Sequence, residues 1–284
     1  MNFIFITGVG RCGTNVIRGL IDGHSEVNVL PGELNVITHY NNSINFKTKK
    51  KYKDELIDSF LRQIPEDKKF FKKRFEKKII KFKKNKNFIK DFEQIVRFFF
   101  LKKKKYVLIN TQNENISFLK KIFKNCKIIH MLRNPLTQIN SRYLFRFRSM
   151  KENFRGNEFT NSFRRNYLSF KQANIFKKDS KVKIIKMEEL LSNTNSTLNT
   201  ITKFLEIKKI DKLELTEMNG KFVSSLNGKL VATNLISKKI NKDYSNLLPN
   251  DLYYCSLITT AKKFYKYPNF QKSNNNFILY FLRH

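Results

Sequence analysis

The chain opens with an apolar run, Phe3-Ile4-Phe5-Ile6-Thr7, that passes directly into Gly8-Val9-Gly10-Arg11-Cys12-Gly13-Thr14-Asn15 and then Val16-Ile17-Arg18-Gly19-Leu20-Ile21. A short apolar segment bounded by glycines reads as a buried strand, and the residues after it read as the first helix. Between them the glycines permit a sharp turn in which backbone N–H groups face a ligand. The helix starting near Thr14 adds the positive end of its dipole at the same place. Strand, loop and helix together form a phosphate cradle, which commits the chain to a parallel α/β architecture.

Three chemistries compete for this loop. Gly8, Gly10 and Gly13 satisfy the spacing of a dinucleotide fingerprint, and Glu33 lies near the distance expected of a ribose-binding acid. Gly8 and Gly13 also frame a nucleoside-triphosphate loop. The positions of its lysine and Mg²⁺-binding hydroxyl, however, hold Thr14 and Asn15, which argues against a kinase or ATPase. The third reading uses the residues present: Arg11 inside the loop, then Gly13, Thr14 and Asn15 at the helix start, holding an anionic donor without a metal. A plain glycine turn with no ligand explains Arg11 least well.

At 284 residues the chain suffices for one sizeable core, a single α/β domain over 1–284 with an insertion. The apolar start is broken by Gly8, Gly10 and Arg11 before it forms a signal-peptide core. The runs Phe98–Leu101 and Phe277–Leu282 fall far short of the ~20 residues of a membrane span. These features predict a cytoplasmic or membrane-peripheral protein. Cys12, Cys126 and Cys255, with His24, His39, His130 and His284, are too scattered for a disulfide framework or a metal site. A formal charge of +34 raises nucleic acid or another polyanion as a partner. Lys, Asn, Ile and Phe are all inflated together, so compositional drift over a solvated surface explains the charge equally well.

Beyond the first helix, Gly23 provides a stop and His24 reads as a helix-end residue. Val27, Val29 and Leu30 predict a second strand, stopped by Pro31-Gly32, with Glu33 just past its end on the ligand side of a parallel sheet. Glu33 is therefore a candidate general base, with His39 as a weaker one. Residues 41–105 change character: lysines recur, and Phe71, Phe75, Ile79 and Phe82 fall at helical spacing. This segment reads as a basic insertion, a pair of amphipathic helices with lysine on the wet side, although interleaved aromatics and cations also suit nucleic acid. Strands are predicted again at Tyr106–Thr111 and Lys127–Leu132, with a helix over Ile116–Phe123 between them and His130 packed in the core. The second strand ends in Arg133 and leads into a helix carrying Ser141. Arg133 and Ser141 are eight residues apart. At ~1.5 Å of rise per helical residue, a strand-end guanidinium and a helix hydroxyl can meet at one small anion. Two anion-binding devices on neighbouring strands imply a donor with phosphates at both ends.

With those residues in hand, a family resemblance emerges. Gly8 to Asn15 resembles the 5′-phosphosulfate loop of sulfotransferases that use 3′-phosphoadenosine 5′-phosphosulfate (PAPS). Leu132-Arg133-Asn134-Pro135-Leu136-Thr137-Gln138-Ile139-Asn140-Ser141-Arg142-Tyr143 is similar to their 3′-phosphate motif. Val182–Leu191, with the helix running to Ile207, resembles the late strand, acidic turn and helix of the same fold, and His24-Ser25-Glu26-Val27 falls where the family has a His-Pro-x-Val. The resemblance implies a P-loop-type central parallel sheet flanked by helices. Gly10, Arg11, Cys12, Gly13, Thr14 and Asn15 would hold the 5′ end of PAPS, and Arg133 and Ser141 the 3′-phosphate, leaving 3′-phosphoadenosine 5′-phosphate (PAP) as product. It implies Glu33 and Arg11 as catalytic residues, no metal, and a hydroxyl-bearing acceptor: a carbohydrate, glycolipid or tyrosine, polyanionic or acidic in character. Many relatives carry Lys-Thr-Pro where this chain has Asn110-Thr111-Gln112, so a leaving-group cation must come from elsewhere, such as Lys105 or a late lysine. Ser224, Ser225 and Lys229 are candidate donor contacts in a polar loop, and Pro249 is expected to open a last helix with Leu252, Leu257 and Ile258 facing inward.

Overall fold

Parallel pairing of five strands builds the framework, in the order β2-β3-β1-β4-β5. The computed structural model describes residues 1–45, 52–64, 69–82, 87–100, 102–111, 115–150 and 155–210, together with 216–217, 221–222, 247, 253, 255–258 and 261–265. The first half runs β1 (Asn2–Gly8), α1 (Thr14–Ile21), β2 (Val27–Glu33), α2 (Val36–Ile44), α3 (Tyr52–Leu61), α4 (Lys69–Ile79) and α5 (Phe88–Phe99). It continues with β3 (Tyr106–Asn110), α6 (Ile116–Ile122), β4 (Lys127–Leu132), α7 (Pro135–Met150), α8 (Arg155–Phe176), β5 (Val182–Lys186), α9 (Met187–Ser192) and α10 (Thr194–Leu205). A small antiparallel pair, β6 (Thr216–Glu217) and β7 (Lys221–Phe222), follows.

Strict alternation along β1 sends its side chains to two cores, which is why a run of unbroken apolar residues is needed there. Ile4 and Ile6 pack with Val16, Ile17 and Leu20 of α1 and Leu198 and Ile201 of α10. Phe3 and Phe5 face the other way, into an aromatic cluster with Phe60, Phe75, Phe92, Phe99 and Phe123. Helix α5 enters that cluster because Phe88, Phe92, Ile95, Val96 and Phe99 recur on one face, while Asn87 caps its start by accepting from Ile89 N at 2.9 Å. Phe60, Phe75, Phe92 and Phe99 are fully buried, each such ring contributing about 1.5–3 kcal/mol from apolar area alone. Among the described residues of 41–105, three whole helices, α3 to α5, stand in place of the expected pair, and α2 begins before that segment. Phe75 and Phe82 are buried, while Lys72, Lys73 and Lys77 face solvent.

The expected stop at Pro31-Gly32 is corrected. Strand β2 continues through both residues to Glu33, with a register irregularity between Val29 and Glu33, so that Glu33 pairs with Asn110. β2 is an edge strand, where a proline without an N–H is tolerated and a bulge re-aims the chain. Leu257 is also exposed rather than inward-facing, while Ile258 is buried. Ser224, Ser225, Lys229, Pro249 and Leu252 lie outside the described residues. Among the described residues, no helix is long and apolar enough to cross a membrane.

Candidate active site

The glycine loop sits at the C-terminal end of β1, between β3 and β4, where open parallel sheets receive ligands. Cys12 N closes the loop on Val9 O at 3.1 Å. Gly13 at the N-cap of α1 has φ 95° and offers no side-chain cap, so first-turn amides remain for an anion. A Cβ on Gly13 would also meet Met187 Sδ, a flexible side chain that can yield, so the backbone φ is what calls for glycine. Arg11 takes a left-handed φ of 74° despite its side chain. Such backbone strain accumulates where surrounding structure forces a geometry.

Strand β4 supplies the second half of the site. Arg133 Nη1 donates to Arg11 O at 2.9 Å, and Arg11 Nε donates to Ser141 Oγ at 3.4 Å. Arg133 and Ser141 therefore meet at Arg11, so the two motifs that the sequence places 122 residues apart lock one another. Gln138 of α7 also donates to Gly10 O, and Asn166 of α8 donates to Gln138 Oε1 at 2.8 Å, which ties the loop to two helices. Glu188 accepts from Asn134 N at 2.9 Å and from Tyr265 OH at 2.8 Å, and its charge favours the Arg133 cation. Burial, chiefly, lowers the pKa of Arg133 and of Arg11; Arg142 lowers Arg11 further, while Glu33 opposes that shift. Both guanidiniums stay charged, since arginine starts above about 12. They stand as partly dehydrated cations, in the low-dielectric setting where an anion is held most strongly. Burial pushes the Cys12 thiol up to about 12, so Cys12 shapes the loop rather than acting as a thiolate.

On the other side of the loop, Asn110 Nδ2 donates to Asn15 Oδ1 at 2.8 Å and Asn15 Nδ2 reaches Glu33 Oε1 at 3.4 Å. The expected substitute cation Lys105 is misplaced. It precedes β3 and donates to Glu206 O at the opposite end of the strand from Asn110, about 15 Å of extended chain away. Arg142 is the nearby cation instead, felt electrostatically by Arg11. Gln138 and Arg142 lie within the motif around Arg133 and Ser141, and Glu188 within the acidic turn after β5, but the sequence assigned them no role; Asn166 left no local signal. Burial lowers the pKa of His39, and Glu55 and Arg62 are the charges it senses. His130 is the buried core histidine expected.

The sequence model of the sulfotransferase family matches residues 3–211, nearly three quarters of the chain. The chain belongs to the sulfotransferase family. The sulfotransferase domain from the curacin biosynthetic pathway is similar over 93% of this chain and 98% of its own, with 15% identity and a TM-score of 0.55, and so shares the fold. The sulfotransferase domain of the Synechococcus PCC 7002 olefin synthase is 17% identical over 73% of this chain and 74% of that one, at a TM-score of 0.48. Mouse sulfotransferase SULT7A1, solved in complex with PAP, is 16% identical over 74% of this chain and 61% of its own, at 0.46. A comparison with curated protein sequences finds no match. In this sulfotransferase-family chain no group of three His, Cys, Asp or Glu comes together as a metal site among the described residues.

Proposed function

We propose that the protein transfers a sulfuryl group from PAPS to an acceptor hydroxyl. The observation that carries this reading is the coupling of two cation-bearing segments on adjacent strands, Arg11 after β1 and Arg133 and Ser141 after β4, through the 2.9 and 3.4 Å bonds described above. A donor with a 5′-phosphosulfate and a 3′-phosphate needs two anion sites one strand apart. The uncapped start of α1, two partly dehydrated guanidiniums and the absence of a loop lysine match such a ligand better than a nucleoside triphosphate.

Bound PAPS supplies an activated sulfuryl group for in-line transfer. Arg11 and the first-turn amides at Gly13, Thr14 and Asn15 hold the oxygens on which charge builds. Arg133 and Ser141 anchor the far phosphate and fix the geometry of approach. Glu33 takes the proton from the acceptor hydroxyl, and Asn15, itself held by Asn110, aims the carboxylate. Arg142, close enough for Arg11 to sense its charge, would supply the cation for the leaving oxygen that Asn110 cannot.

The test is ligand-linked stability. PAP should raise the melting temperature of the wild type, by ~2.7 kcal/mol of linkage at a hundredfold excess over its Kd. The Arg11→Ala, Arg133→Ala double variant should lose that response. Equal shifts in both proteins reject the two-site assignment, and a larger shift with ATP and Mg²⁺ favours a kinase. Incubation with radiolabelled donor and a panel of glycans, glycolipids and acidic peptides identifies the acceptor class.

A further inference from the structure

The face of the sheet opposite α1 carries a polar feature that the phosphate loop does not use. Thr7 on β1 is in register with His130 on β4, and Thr111 follows β3 on the other side, its N–H bonded to Ile6 O at 2.8 Å. By strand alternation all three side chains continue the rows of Phe3, Phe5, Ile109 and Ile128, toward α6 and α8. A polar row thus crosses three central strands of an otherwise apolar layer.

His130 is 1% exposed, and its Nε2 is 3.1 Å from Ser169 O and 2.9 Å from Ser169 Oγ. A carbonyl only accepts, so the tautomer that bonds Ser169 O is the one with its proton on Nε2. Burial pushes the imidazole down to about 4, which keeps the ring neutral and leaves Nδ1 as an acceptor. Neither His130 Nδ1 nor Thr111 Oγ1 has a hydrogen-bond partner among the described residues. Each such buried orphan is costly unless a partner meets it.

A cavity of about 310 Å³ lies over this row. Thr7, Val9, His130 and Ser169 form its inner wall. Ser117 of α6 and Leu168 and Ile175 of α8 line it farther out, beside the polar and cationic side chains of Arg165, Lys171 and Gln172. Leu168 and Ile175 are 44% and 63% exposed, large apolar side chains facing water at the mouth. The volume is at the small end for ligand pockets and suits one ring. A hydroxyl matches the floor, because it can donate to Nδ1 beside the Thr7 side chain, and the C–H face of a ring matches Leu168 and Ile175. We propose that this cavity binds a small hydroxylated ring compound, of the size of one sugar residue, whose hydroxyl donates to His130 Nδ1 while its apolar side covers Leu168 and Ile175. Thr7 and Val9 belong both to this wall and to the stem of the phosphate loop, so the occupant touches the loop from behind. The site stands independently of the donor assignment.

Two sources share this chemistry: an acceptor that becomes sulfated, and a ligand that only binds. The probes are methyl and phenyl β-D-glucopyranoside, added to the full chain labelled with ¹⁵N-histidine. The His130 Nδ1 resonance should move saturably with both, and the phenyl glycoside should bind several-fold more tightly because its ring covers Leu168 and Ile175. Ser117→Trp, a substitution at an exposed position, should block the mouth and abolish the shift with circular dichroism unchanged. Ile175→Asp should remove the phenyl preference and keep the methyl glycoside response. Added PAPS separates the sources: sulfated glycoside marks an acceptor, and unreacted bound glycoside marks a ligand. No movement of His130 up to the solubility limit of either probe, or equal movement in Ser117→Trp, means that water alone fills the cavity and overturns the proposal.

Discussion

Asn110 holds Asn15 by a 2.8 Å bond from its side-chain amide to Asn15 Oδ1, at the point where β3 ends beside the start of α1. With its oxygen engaged there, Asn15 can present only its NH₂ to Glu33, which it meets at 3.4 Å. An amide that donates favours the carboxylate form of its partner. Asn110 therefore orients Glu33 through Asn15, and Arg11 and Cys12 also sense the Glu33 charge. Replacing Asn110 by Ala should lower kcat about tenfold, the equivalent of one ordinary hydrogen bond, with the thermal response to PAP retained. Asn110→Asp should also move the acid limb of the pH–rate profile upward, because the new carboxylate captures the Asn15 amide and places a like charge near Glu33. An unmoved limb in that variant argues against Asn110 as a positioning residue.

Glu33→Gln should abolish turnover and leave nucleotide binding intact. The amide keeps the shape of Glu33 and its contact with Asn15 but has no basic oxygen to take a proton. Single-turnover sulfuryl transfer measured beside PAP-induced stabilisation separates the two effects. Persistent turnover moves the base to another group.

Gly13→Ala should destabilise the protein by about 1–3 kcal/mol, read by chemical denaturation, since it places a side chain in a sparsely populated backbone region. The φ of 95° and the approach to Met187 Sδ contribute separately. Adding Met187→Ala should recover the steric part only. Full recovery would mean that the backbone at Gly13 carries no strain for a side chain.

Acidification should weaken the fold through His130. Its folded pKa, about 4, lies below the unfolded value near 6.5, so the unfolded state binds the proton first. The stability linked to the neutral ring is complete above about pH 6.5, declines as pH falls toward 4, and is absent below, with a limit of about 3 kcal/mol. In His130→Gln the dependence of unfolding free energy on pH between 7 and 4.5 should be flatter by up to one proton. An unchanged slope assigns the acid sensitivity to other groups.

Much of the site's chemistry is legible in the chain because it is local. Phe3 to Ile21 encodes a buried strand, a glycine turn and a helix start within one stretch, and Arg133 and Ser141 are joined by one strand end and two helical turns. Composition identifies the basic helical segment for the same reason: its periodicity and charge need no distant partner. What escapes is whatever depends on which strands become neighbours. Chain order gives no sign that Glu33 re-enters β2 beyond Pro31 and pairs with Asn110, or that Lys105 ends up at the far end of β3 while Arg142 comes to Arg11. Helix α8, with its weak pattern, brings Asn166 to Gln138 and Ser169 to His130 only once it is packed. The order β2-β3-β1-β4-β5 interleaves strands distant in sequence, and parallel pairing sends every loop of the site to one edge. Residue type along the chain decides that an anion is bound; the crossing of the strands decides which carboxylate, amide and cation surround it.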